Sequence, residues 1–201
     1  MPKHCDAELE GHILNAAYEL ISVGGEQALT MRAVAKAAGT TTPTVYQRFR
    51  DKQSLVELVR RRAIENLVAA IVPGRSPAET CALLLDFASA NPNLYRLITA
   101  DWAVRLGRNE PKPTLDLMKK RLAEQLGGYP DEHWDLAMAL RALVHGTATV
   151  LFAEGVDESV VKNLRRMCIE GCEALIEHAA TGRVFGPTLL KFPLRDTLPN
   201  R

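Results

Sequence analysis

The sequence predicts an all-α protein. Apolar residues recur at helical spacing through most of the chain, the periodic segments stop at glycine or proline, and no stretch reads as a convincing strand. The predicted architecture is an N-terminal three-helix domain over residues 1–53, joined by a fourth helix to a helical bundle over 54–182. The end of the chain, GRVFGPTLLKFPLRDTLPNR, has three prolines and no period, so 183–201 is expected to be an irregular tail.

Residues 6–22 open the chain with Leu9, Ile13, Ala16, Ala17, Leu20 and Ile21 on one stripe, ended by Gly24-Gly25. Thr30 is suited to cap a short second helix, Met31 to Ala38, with Val34 and Ala38 facing inward. Gly39 then supplies the positive φ of a sharp turn. The third helix starts at Thr41 or Thr42 with Pro43 in its first turn, and Val45 and Phe49 should pack onto the two helices before it. Asp51 caps the fourth helix, which runs to Pro73-Gly74. Ser76-Pro77-Ala78-Glu79 is a capping box that opens the next. Asn91-Pro92 starts the segment NPNLYRLITADWAVRL, residues 107–113 form a loop, and Thr114 to Leu126 is amphipathic. A long helix from Pro130 to about Glu154 and a last one from Asp157 to Ala180 complete the bundle.

At 201 residues and 47 % hydrophobic composition the chain can bury a core, and its net charge is only +1. The distribution is more telling. From Thr30 to Arg62 there are eight basic residues (Arg32, Lys36, Arg48, Arg50, Lys52, Arg60, Arg61, Arg62) against Asp51 and Glu57. A local excess of this kind suits a phosphate-facing module on an otherwise acidic body. Cys5, Cys81, Cys168 and Cys172 form no CxxC pair, which favours reduced thiols and a cytoplasmic location. The opening MPKHCDAELEGHI lacks an apolar signal core and no run of 18 apolar residues occurs, so neither a signal peptide nor a membrane span is expected.

The stretch TMRAVAKAAGTTTPTVYQRFRDK, Thr30 to Lys52, therefore reads as helix, glycine turn and DNA-reading helix. With Ala16-Ala17, LTMRAVAKAAG, TPTVY, Phe49 and the Asp51-Lys52 start of helix four, residues 10–58 resemble the N-terminal DNA-binding domain of TetR-family transcriptional regulators. The segment NPNLYRLI and Val144-His145-Gly146 are similar to one sort of TetR ligand-binding domain. The resemblance implies a homodimeric regulator, most simply a repressor of a palindromic double-stranded DNA operator, released by a small-molecule effector. A recognition helix puts its N-terminal residues at base edges, which points to Thr41, Thr42, Pro43 and Thr44, with Gln47 able to reach adenine. Tyr46, Arg48 and Lys52 suit phosphate contacts, and Thr30 and Arg32 hold the DNA backbone from helix two.

In the body, Ala139, Ala142, Gly146, Thr149 and Ala153 form a row of small residues. With Val161, Leu164, Cys168, Gly171 and Leu175 of the final helix, it is expected to build a four-helix dimer interface. A second face carries Trp134, Met138, Arg141, His145 and Phe152. Trp134, Met138, Arg141 and His145, joined by Phe87, Tyr95 and Trp102, are the candidate ligand-binding residues. A satisfied core histidine and a salt-bridged arginine would explain the same pattern. Cys168 and Cys172, one turn apart with His178 beyond, lack further metal ligands at matching spacing, so no metal and no cofactor are expected. No Ser-His-Asp set, glycine-rich phosphate loop or paired-carboxylate constellation occurs, which argues against an enzyme. The rival readings are a small-molecule-binding helical bundle and a cysteine redox sensor without a ligand.

Overall fold

A computed structural model of the chain describes residues 3–108, 110–152 and 155–182, with side chains from residue 7 onward. The expected tail, Ala153 and Glu154 lie outside them. Among the described residues there are ten α-helices and no strand. They are α1 (Lys3–Gly24), α2 (Met31–Ala37), α3 (Thr42–Arg48), α4 (Lys52–Ile71), α5 (Pro77–Ala90), α6 (Pro92–Thr99), α7 (Trp102–Leu106), α8 (Pro113–Leu126), α9 (Trp134–Leu151) and α10 (Glu158–Ala180). The contacts divide the chain into two compact units. One takes residues up to Ala70 together with Asp86–Ala100, the other Ile71–Leu85 and the chain from Asp101 on. The first unit thus keeps nearly all of α4.

The first unit is built around the apolar stripe of α1. Ile13, Ala17 and Ile21 are fully buried, as are Leu29, Val34, Val45, Leu55, Val56 and Val59 from the elements that follow. Each of these isoleucine, leucine and valine side chains stabilises by about 1.5–3 kcal/mol when removed from water. The unit is also pinned by polar groups. The Asn93 side-chain amide at the start of α6 donates to the carbonyls of Ser22 and Val23 at 3.0 and 3.1 Å, satisfying the end of α1. Arg60, buried on α4, donates from Nε to the Leu97 carbonyl at 3.1 Å and pairs with Glu57. On the outer side of α1, Arg62 stacks over the Tyr18 ring and bonds Asn15, while Asn66 donates to the Tyr18 hydroxyl.

The second unit packs α8, α9 and α10 together. Leu115, Met118, Leu122, Leu136, Leu140, Val144 and Ile176 supply its core. Lys119 is buried among them at 8 % exposure and is tolerated because it bonds Asp131 at 2.8 Å, pairs with Asp116 at 3.1 Å and faces the Trp134 ring. The hydrogen bond to Asp131 holds its pKa above that of an ordinary lysine.

Three local features refine the sequence expectation. The segment NPNLYRLITADWAVRL is two helices, because Ala100 is extended and Asp101 adopts a left-handed conformation at φ 55°. The helix expected from Pro130 begins as a 3-10 turn, Pro130–His133, before α9. Of the α10 row expected at the dimer face, Cys168 is buried, Val161, Leu164, Gly171 and Leu175 are half-buried, and a Cβ on Gly171 would lie 3.1 Å from Leu143. On α9, Ala142, Gly146 and Thr149 are exposed, as are Val160 and Met167 of α10.

Candidate nucleic-acid interface

The α2–turn–α3 corner is fixed by its own sequence. Thr30, extended at φ −125°, accepts the Ala33 amide on its hydroxyl at 3.1 Å and starts α2. Gly39 ends it at φ 65°, with its amide bonded to the Lys36 carbonyl at 3.3 Å and the Thr40 amide to Ala35 at 2.9 Å. That 5→2 and 6→1 pairing is a Schellman motif, and it needs a left-handed residue where glycine stands. Ala35, inside α2 and four residues before Gly39, is 3 % exposed, so its small side chain permits the close approach of α3. Thr41 then caps α3. Its hydroxyl accepts the Thr44 amide at 3.3 Å and lies 2.8 Å from the Thr44 hydroxyl. Val45 and Phe49 anchor the inner side of the helix at 0 and 8 % exposure.

With that side anchored, Pro43, Tyr46 and Gln47 stand out in solvent and Thr42 and Thr44 are half-buried beside them. Tyr46 is 54 % exposed, a large amount for an aromatic ring. Arg32 and Lys36 on α2, Arg50 and Lys52 are exposed on the same short stretch. Lys52 reaches back to the Glu26 carbonyl at 3.2 Å, which ties the α4 start to the turn before α2. Asp51 caps α4 by accepting the Ser54 amide at 2.7 Å, and this bond with the Ser54 hydroxyl lowers its pKa. Arg48 behaves differently from its neighbours. Its side chain is only 20 % exposed and faces Glu10 of α1 at 3.6 Å. The long sequence separation of that pair is why the local pattern did not reveal it.

The candidate ligand residues fall into two groups. Phe87 and Tyr95 belong to the first unit, with Tyr95 fully in the core at 2 % exposure. Trp102, Trp134, Met138, Arg141 and His145 belong to the second. There the Arg141 guanidinium lies over the Trp102 ring, 3.7 Å from its centroid. His145 is half-buried one turn further along α9, and burial together with the Arg141 charge lowers its pKa. A cleft in this unit is lined by Leu84, Met118, Leu140, Val144, Thr114 and Arg141, among others, and the centre of a water molecule can range over about 20 Å³ of it. Trp102, Trp134, Met138 and His145 do not line that cleft.

Cys81 also lines the cleft and belongs to a set that the sequence did not join. It is hydrogen-bonded to Cys172, which is bonded to Cys168, which contacts Thr147. The Cys172 contact and burial drive the Cys168 pKa far up. For Cys172 the Cys168 contact pulls the other way, but the Cys81 bond and burial prevail and push it up to about 12. Thiolate is therefore scarce at neutral pH, and no group of three or more metal-ligating residues fit to hold an ion occurs among the described residues.

Residues 13–59 match the bacterial regulatory proteins of the tetR family, and residues 78–168 match the tetracyclin repressor-like C-terminal domain. No curated protein matches the chain. Among solved structures, a TetR-like transcriptional regulator from Rhodococcus sp. RHA1 is 18 % identical over 87 % of this chain and 97 % of its own, with a TM-score of 0.57. A tetR-family regulator from Streptomyces coelicolor is 19 % identical over 88 % of this chain and 83 % of its own, at 0.65. A second TetR regulator from that organism is 20 % identical over 85 and 96 %, at 0.60. At such identities the likeness shows the shared fold. The two family matches stand in the order DNA-binding half then C-terminal half and together span well over half of the residues, on a fold shared with those regulators: this chain belongs to the TetR family of DNA-binding transcriptional regulators.

Proposed function

We propose that the chain is a homodimeric repressor whose two α3 helices read a palindromic operator and which a small-molecule effector releases. The observation that carries this reading is the outward row Pro43, Tyr46 and Gln47, flanked by Thr42 and Thr44, on a helix whose other side is anchored by Val45 and Phe49. Gln47 has the fork that matches the N6 and N7 edge of adenine, while Thr42, Pro43 and Thr44 offer methyl and hydroxyl contacts to thymine or shape readout. Thr30, Arg32, Tyr46 and Lys52 take phosphates. The Thr30 and Thr41 oxygens accept backbone amides as caps, and a hydroxyl in that position can still donate its own proton to a phosphate. The ion pair of Arg48 with Glu10 favours a bracing role for it.

Two operator half-sites about 34–36 Å apart require two copies of the helix. The exposed small residues Ala142, Gly146 and Thr149, beside the exposed Val160 and Met167, suit a self-complementary helical interface. The effector acts only by binding the DNA-incompetent arrangement more tightly. The chain offers three connections to carry the change, the end of α4, the middle of α5 and the α6–α7 join at Asp101, and within the DNA-binding unit α6 is held through Asn93 and Arg60. The proposed location is the cytoplasm, and no helix among the described residues is long and apolar enough to cross a membrane.

The test is enrichment of binding sites from random double-stranded DNA by the full chain, followed by mobility shifts. The expected product is an inverted repeat, bound at least about tenfold more weakly by Tyr46→Ala and Lys52→Ala. Undiminished affinity in both variants would sink the proposed placement of α3.

A further inference from the structure

The outer face of α3 has a chemical bias that narrows what it can read. Pro43 stands exposed with only ring carbons to offer, since proline has no N–H. Thr44, half-buried beside it, has its hydroxyl 2.8 Å from that of Thr41, whose oxygen also accepts the Thr44 amide. Arg48, the single basic residue of α3, faces Glu10 at 3.6 Å. We propose that Pro43 and Thr44 read the C5-methyl group of a pyrimidine in each operator half-site, so that thymine is preferred there to uracil, and 5-methylcytosine to cytosine. The proposal rests on the reading of DNA by α3 set out above and names the group on the DNA that is sensed.

In the major groove a pyrimidine shows its 5-position, a methyl in thymine and a hydrogen in cytosine, beside a 4-position that is an acceptor in thymine and a donor in cytosine. A side chain that discriminates the 4-position needs a polar group aimed at it. The Pro43 ring has none, and the Thr44 hydroxyl is engaged with Thr41. The substituents on a threonine Cβ are staggered, so an oxygen held toward Thr41 also fixes where the Thr44 methyl stands. Carbon surface of this kind gains by covering another methyl and is indifferent to the polar group next to it. Arg48 does not turn the preference toward guanine, because its side chain is only 20 % exposed and its charge meets Glu10. Gln47 stands exposed on the same face, four residues after Pro43 and three after Thr44. Its amide suits adenine, and the thymine opposite an adenine carries the methyl, so the two kinds of contact are compatible within one A·T pair.

The experiment takes an operator selected by the full chain from random duplex DNA and replaces each thymine by uracil, one position at a time in both half-sites, with affinity read by fluorescence anisotropy. At one position or more, uracil is expected to weaken binding by about fourfold per half-site, the worth of one methyl group taken out of water. A cytosine–guanine pair is then placed at that position with and without the C5-methyl, and the methylated duplex should bind tighter by a similar factor. Thr44→Ser keeps the hydroxyl and removes only the methyl. Combined with Pro43→Ala, it should bring thymine and uracil close to parity. Affinity unchanged by uracil at every position, 5-methylcytosine bound no tighter than cytosine, or an undiminished preference in the double variant would each overturn the inference. The last outcome would mean that the methyl acts through the shape of the DNA and not through these two side chains. The base comparisons use the unaltered chain, so they stand even if the variant folds poorly. An operator that is selected but read without regard to the methyl refutes this inference alone, whereas a chain that selects no operator refutes the reading of DNA by α3.

Discussion

The hydroxyls of Thr41 and Thr44 lie 2.8 Å apart in the first turn of α3, and the Thr41 oxygen also accepts the Thr44 amide. Two side chains expected at the DNA are thus also the ones that set where the helix begins. Replacing Thr41 with alanine removes the cap and should cost about 1 kcal/mol in chemical denaturation, while Thr41→Ser should keep most of it. An alanine variant as stable as the parent would mean that the turn, not the hydroxyl, starts the helix.

Arg60 makes the corresponding long-range statement. Its Nε bonds the Leu97 carbonyl from a buried position, 37 residues away in sequence. Arg60→Met retains the aliphatic stem but leaves that carbonyl without its donor and Glu57 without its pair. A loss of about 1–3 kcal/mol is expected in urea unfolding. A neutral outcome would show that apolar packing and the Asn93 bonds hold α6 without Arg60.

These two residues also mark what the sequence could convey. The corner from Thr30 to Thr41 was legible because each of its devices, a threonine cap, a small Ala35, a left-handed Gly39, acts within a few residues. The all-helical class followed from periodicity for the same reason. Periodicity identifies an apolar face but not its partner. The burial of Cys168, the closeness of Gly171 to Leu143, the pairing of Arg48 with Glu10 and the meeting of Cys81 with Cys172 all join distant parts of the chain. The break at Asp101 was hidden because a left-handed aspartate leaves the apolar spacing on both sides intact. For the candidate ligand residues, the sequence brought out Arg141 and Trp102, which stack, but not the aliphatic wall that makes the cleft.

His145 gives a pH dependence of defined sign. Burial, aided by the Arg141 charge, lowers its pKa in the folded chain below the free value of 6.5. Between the two values the unfolded chain holds the proton and the folded chain does not, so acid favours unfolding. Stability from this group is present above 6.5 and is lost as pH falls through the folded value. Melting temperature followed downward from neutral pH should fall less steeply in His145→Gln than in the parent. Parallel curves would contradict the lowered value.

The thiols offer a test of the redox alternative. Cys81, Cys168 and Cys172 are buried, and the last two have raised pKa values. In a Cys5→Ser background these three should react with a thiol-specific disulfide reagent only at the rate of unfolding, and peroxide should leave operator affinity unchanged. Fast reaction in the folded protein, with a parallel change in affinity, would favour redox sensing.

The claim that α3 reads DNA is met most directly by operator affinity measured across salt concentrations for the parent, Lys52→Ala and Gln47→Ala. Affinity should fall with salt in all three. The logarithmic slope should be shallower by about 1 in Lys52→Ala, as one phosphate contact is lost. Gln47→Ala should keep the parent slope but lose discrimination at a single base pair, by about 1–3 kcal/mol. Affinity that does not respond to salt, with base preference unaltered in Gln47→Ala, would contradict the account.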